Sequence, residues 1–413
     1  MNPAPVPNPS AAEPHASGAA RAPSAMLVRS RRVRDVVTTV FFALVLVAPS
    51  IDLVVRPASV RDPARFEMRA PARRPDWPVN VQRLNTFPQR FTNWFDDQLG
   101  LRDQLLRFGS IVKLFGFGVS PTKDVLPGKN GFLFYTGNHT IEVHRGVYPF
   151  SPQQLDDACR LLEARRLVCE QRGAAYVFVV APDKESIYPD FLPAGCESVG
   201  PSRLDQLVKA VAQRAPKVEL LDLRPAFRAA RRQDGPRDYL YSELGTHWDG
   251  RGNYLGYREI ARALQRHFPA IEPFAWDEIV RTPSPQNLDS WGLRMYVHDL
   301  LDTHSLLVDA PAGRKRARLV RDESESGGTS EQRTDDERLP RVFVLHDSFL
   351  YGVLPLLAEH CEQLDYSPSD YLDPAVIDAL RPDVVVELWV ERFLGEWNPA
   401  QRMPRVAPAG APR

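Results

Sequence analysis

The chain runs to 413 residues, enough for two or three domains at about 150 residues each. Lys and Arg total 52, as do Asp and Glu, so the formal net charge is +0 and no whole-chain field exists to hold a polyanion such as a nucleic acid. A hydrophobic share of 43% with a mean hydropathy of -0.32 excludes a multi-span membrane protein, and four cysteines with no CxxC or Cys/His clustering support neither a disulfide scaffold nor a metal-built fold.

The stretch from Met1 to Met26 is dominated by Pro, Ala and Ser and cannot offset its own ordering entropy, so a disordered tail is expected, with residues 1–35 on the cytoplasmic side. Arg29, Arg31, Arg32 and Arg34 then precede an apolar run over 36–55. A basic cluster before such a run stays cytoplasmic, so the chain beyond it is expected to be exported, anchored in the inner membrane with its body periplasmic or otherwise extracytoplasmic. The run is just long enough to span, and no small-x-small cleavage site follows, so an uncleaved signal-anchor is expected, with a linker over 56–76. Between Arg83 and Phe117, Phe91, Trp94, Phe95, Leu99, Leu105 and Leu106 recur three or four apart and predict helices. Short apolar runs at 176–181, 218–223, 341–345 and 384–389 predict strands buried on both faces. They alternate with helical stretches at 152–172, 203–214 and 250–267, which predicts an α/β domain with a mostly parallel sheet flanked by helices. The highly charged segment 313–341 reads as a solvated, hydrophilic loop, and 398–413 as a mobile tail.

In open parallel sheets the ligand crevice lies beyond the carboxyl ends of the strands. Polar residues cluster there: Asp183 and Lys184 after the first run, Asp222 at the second, Asp347 and Ser348 after the third, Glu391 and Arg392 after the fourth. VFVLHDSFLYGV puts Ser348 on a strand-to-helix turn, where a hydroxyl and backbone N–H groups are presented together. A serine hydroxyl needs a base, and His247, in the polar loop ELGTHWDGRGNY before a helix, is the best placed of nine histidines. His346 adjoins the serine but as the last strand residue it points to the face opposite Asp347.

GKNGFLFYTG, PDKESIYP, THW, HDSF and PDVVVELWVER occur in that order, downstream of DQLGLRDQLL. Together they resemble the alginate O-acetyltransferases of the AlgJ and AlgX type, whose catalytic domain is similar to SGNH hydrolases; the resemblance covers 77–397. It implies an exopolysaccharide O-acetyltransferase working through an acetyl-serine, with Ser348 as nucleophile, His247 as base and Trp248 in the site wall. It also implies a polysaccharide acceptor and a membrane-bound acyltransferase that supplies acetyl groups. No cofactor or metal is called for. The family pattern has Asp two residues before the histidine; here that position is Gly245. The triad acid fixes the imidazole tautomer, and Glu243, Asp183 or Asp249 could replace it, Asp249 being preferred. His346 stands where Gly often precedes Asp-Ser and could narrow the oxyanion pocket.

Asp347, Lys184, Tyr188 and Arg392 are the substrate-binding candidates, Glu391 and Arg392 forming a charge-assisted pair in the site floor. The same residues suit two alternatives: a carbohydrate acetyl esterase, passing the acetyl group to water, or a non-catalytic polysaccharide-binding or assembly factor with a degraded triad. Cys159 and Cys169 lie about 15 Å apart on one predicted helix and cannot bridge; Cys196 and Cys361 could pair in an oxidising compartment.

Overall fold

The computed structural model describes residues 25–55, 69–235, 238–284, 291–301, 304–323 and 326–402. The readings for 1–24, for 56–68 of the linker and for 403–413 of the tail fall outside these. Two compact units are present, one holding the described residues up to 104 and the other those from 105 onward, so the helix Val81–Gln98 groups with the apolar helix.

In the first unit the apolar run lies within a helix, Ala25–Val55, whose part from Arg32 to Asp52 has a mean hydropathy of 1.8. At about 1.5 Å per residue its 21 residues reach the thickness of a bilayer core. The second helix, Val81–Gln98, is capped by the Asn80 side chain, which accepts the Arg83 N–H.

In the second unit a small hairpin, β1 (Val125–Pro127) with β2 (Leu133–Tyr135), precedes the main sheet. The described strands of that sheet are β3 (Ala175–Ala181), β4 (Glu219–Asp222), β7 (Arg318–Arg321), β8 (Ser330–Arg333), β9 (Arg341–His346), β10 (Gln363–Ser367) and β11 (Val384–Val390), in the order β4-β3-β11-β9-β10-β8-β7; β5 (Val280–Pro283) and β6 (Leu306–Asp309) pair separately. The first five in that order are parallel, and β8 and β7 add an antiparallel edge. The segment 313–341, expected to be wholly solvated, supplies these two edge strands: one strand pair needs only backbone partners, and its outer strand stays wet. The tail likewise begins with an anchored turn, Pro399–Gln401, and Arg402 is paired with Asp370.

Alternation along the central strands builds a core on each face. Val177, Val179, Val342, Val344, Val384, Val386 and Leu388 face one layer, with helices Gly250–Gln265 and Leu350–Leu357. Phe178, Val180, Phe343, Leu345, Val385 and Trp389 face the other, with helices Pro152–Glu170 and Arg203–Arg214. Burial on both faces explains why these strands read as continuous apolar runs. The result is the expected parallel α/β sheet flanked by helices. All four cysteines carry free thiols, so Cys196 and Cys361 are not paired.

Candidate active site

The serine sits where β9 hands over to helix Leu350–Leu357. Asp347 shapes this turn: its N–H donates to Leu388 O (3.2 Å), its Oδ2 accepts the Val390 N–H (2.6 Å) and its Oδ1 accepts the Phe349 N–H (2.9 Å). Asp347 therefore clamps the turn to β11, and burial raises its carboxyl above its ordinary value. Ser348 is left exposed, and its amide makes no hydrogen bond among the described residues.

His247 arrives from a tightly braced loop. Tyr241 and Trp248 form an isolated antiparallel bridge, Ser242 N–H donates to His247 O and Asp249 N–H to Leu240 O. The turn between them is pinned by Leu133 N–H on Glu243 O (2.9 Å) and Trp291 N–H on Leu244 O (2.8 Å). The imidazole, half-buried and packed against Phe349 at 5.1 Å, places Nε2 2.7 Å from Ser348 Oγ across 101 residues of sequence. This separation is within the reach required of a base and its nucleophile.

Other expected binding groups have structural duties. Lys184 is buried, and its ammonium donates to the carbonyls of Leu133 (2.8 Å), Ser242 (2.7 Å) and Glu243 (3.2 Å), tying β2 to the histidine loop instead of lining a rim. Tyr188 is also buried; its hydroxyl donates to Asp234 Oδ2 (2.8 Å) and accepts the Leu240 N–H (2.9 Å). Trp248 is buried beneath Ser348, 4.9 Å from Phe227 and edge-on to Phe349. Glycine at 256 makes room for it, since a Cβ there would overlap the indole. Asp249 directs Oδ1 to Ser305 Oγ (2.7 Å) and the Leu306 N–H (2.8 Å), so that oxygen holds a neighbouring loop. His346 is buried beside Tyr351 and Tyr366, its Nδ1 donating to Asp347 O, and so does not narrow the space above Ser348.

The strand-end charges do converge, as buried braces. Arg392 pairs with Asp183 (2.5 Å) and lies 5.4 Å from the centre of the Phe349 ring, whereas Glu391 accepts from Ser186 Oγ (2.6 Å) and faces Arg224 at 3.5 Å. The expected Glu391–Arg392 pair is thus two pairs, because adjacent residues leaving a strand diverge. Arg224 also binds Asp222 through both carboxylate oxygens. Sequence reading missed Arg224, Ser186 and Glu185; RP opening a helix after a strand-end aspartate was the available signal for the first.

Tyr188→Phe removes two hydrogen bonds, one of them the partner of the Leu240 N–H, and should cost about 2–3 kcal/mol of stability while leaving the KM for an acceptor unchanged; a raised KM would return Tyr188 to the substrate. Burial pushes the Glu185 carboxyl up to about 8 and that of Glu391 up to about 7, with Asp183 close to both. A carboxyl that holds its proton more tightly folded than unfolded makes stability fall as pH rises from the ordinary value of about 4.3 to the folded value. Melting temperature should therefore decline between pH 6.5 and 8, and Glu185→Gln should flatten that decline. An unchanged slope would mean that water solvates the carboxylate.

Residues 125–290 match the family model for the SGNH hydrolase-like domain of acetyltransferase AlgX. Among solved structures, Bacillus cereus PatB1 with a sulfonyl adduct is similar at TM-score 0.51 and 13% identity, over 67% of this chain and 97% of that one. The O-acetyltransferase domain of Pseudomonas putida AlgJ is similar at 0.40 and 17%, over 66% and 93%. Pseudomonas aeruginosa AlgX follows at 0.42 and 12%, over 67% and 63%. No curated protein sequence matches. At 13% identity the likeness to PatB1 speaks for the fold alone. The sequence similarity is to the SGNH hydrolase-like domain of acetyltransferase AlgX, over residues 125–290 of this chain.

Proposed function

We propose that this protein is a membrane-anchored O-acetyltransferase that acetylates hydroxyls of an exported or cell-surface polysaccharide through an acetyl-serine at Ser348. The observation carrying the reading is the 2.7 Å contact between His247 Nε2 and an exposed Ser348 Oγ. His247 takes the hydroxyl proton as Oγ bonds to the acetyl carbon of the donor, then gives that proton to the departing donor group. In the second half a sugar hydroxyl surrenders its proton to His247, its oxygen takes the acetyl carbon, and Ser348 Oγ leaves and is reprotonated. Phe349 N–H is already occupied by Asp347, so the Ser348 amide is the backbone donor available to the oxyanion. The family match to an acetyltransferase domain supports the group transferred, and a membrane acyltransferase is the expected source of acetyl.

The anchor reading has support beyond apolar composition. Asp52 Oδ2 accepts the Leu101 N–H at 2.8 Å, and a Cβ on Gly100 would overlap the Pro49 carbonyl, so the folded chain after the second helix uses the end of the apolar helix. Cleavage before residue 52 would remove that partner. The functional test is mass spectrometry of the full chain incubated with an activated acetyl ester and an oligosaccharide. An acetyl group on the Ser348 peptide and on the sugar is the expected result. Free acetate without acetylated sugar would reassign the protein as an esterase, and no acetylated serine would remove the covalent mechanism.

A further inference from the structure

The helix Val81–Gln98 divides its surface sharply. At 100° per residue, Leu84, Phe87, Phe91, Trp94 and Phe95 fall within a stripe about 100° wide, and Gln82, Asn85, Gln89 and Asn93 occupy the opposite side. Arg83 and Arg90 lie along one edge of the stripe. Phe91 is 44% exposed and Trp77, stacked on Phe87 at 5.6 Å, is 80% exposed. Phe87, Phe91 and Phe95 continue the stack at 5.9 and 6.2 Å. The acid nearest the stripe, Asp97, is buried and neutralised by Arg69 and the Ala72 N–H.

What covers this face is indicated by where the helix ends. Three residues beyond Gln98, the Leu101 N–H is held by Asp52, the charged residue that closes the apolar helix. The aromatic helix is therefore tethered at the level where the chain leaves the membrane, the depth at which Trp and amphipathic aromatic faces concentrate. Resting on the anchor reading above, we infer that Val81–Gln98 lies flat on the bilayer surface, its aromatic stripe among the lipid headgroups and acyl boundary and the arginines along the stripe's edge near lipid phosphates. The helix thereby forms a second, peripheral membrane contact.

The test uses the full chain in vesicles of phosphatidylethanolamine and phosphatidylglycerol whose acyl chains are brominated near the headgroup. Trp77→Phe with Trp94→Phe, which keeps the apolar character, should abolish most of the bromine quenching of tryptophan fluorescence. Quenching unchanged by the two substitutions overturns the inference. A spin label at Leu84→Cys, placed in a Cys196→Ser background, should be more accessible to oxygen than to a water-soluble nickel chelate, and one at Gln89→Cys the reverse. Water-like accessibility at both positions, or a label at 84 shielded from both reagents as a protein partner would shield it, also overturns it. Alkaline carbonate separates the two levels: release of the chain from vesicles refutes the anchor and the inference with it, whereas a retained chain with unquenched Trp77 and Trp94 refutes the helix placement alone.

Discussion

Ser348→Ala is expected to lower acetyl transfer by about 10³-fold or more while shifting stability by no more than about 0.5 kcal/mol, because the side chain is exposed and only its chemistry is removed. His247→Ala should cost a similar factor. The double variant should be scarcely worse than either single one, since two groups serving one proton transfer act as a unit. Transfer assays on purified chains, with melting curves alongside, decide the matter. A purified Ser348→Ala chain with wild-type transfer would remove Ser348 as the nucleophile, and a Ser348→Ala cell whose polymer is still fully acetylated would point to a binding or assembly role.

The largest effect on stability should come from a different place. Glu387 stands in the middle of β11 with 0% exposure, and Arg165 reaches it from helix Pro152–Glu170 with 1% exposure, at 2.5 Å. Tyr176 Oη and Trp389 Nε1 also donate to that carboxylate (2.8 and 3.2 Å), and Arg165 Nη2 donates to Asp370 O (2.7 Å). Removing one member strands the other charge without solvent, so Arg165→Met should cost about 3–5 kcal/mol. Arg165→Met combined with Glu387→Gln should be less destabilised than the sum of the single changes by about 1 kcal/mol or more. Denaturant titration of the four proteins measures the coupling. Additive losses would mean that the ion pair contributes no interaction of its own.

The sheet was legible where burial on both faces wrote long apolar runs: β3, β9 and β11 fall within a residue of their expected bounds. β10 was not, because QLDYS mixes polar residues into a strand whose burial comes from its neighbours. The proximity of His247 to Ser348 was legible because a serine hydroxyl on a strand-to-helix turn needs a histidine within hydrogen-bond reach to act as a nucleophile. Lys184, Tyr188, Trp248 and Asp249 were polar or aromatic in the right motifs, but residue type alone does not say whether a side chain faces a ligand or a carbonyl.

What the sequence determined by itself was the chemistry available: an apolar helix near the start, runs that must be buried, and a serine and a histidine of the kinds that transfer acyl groups. The tertiary structure alone decided which groups meet. Contacts such as His247 with Ser348, Asp52 with Leu101 and Arg165 with Glu387 join residues dozens to hundreds of positions apart. Local composition carries no record of such distances, because they are set by the packing of whole layers against one another.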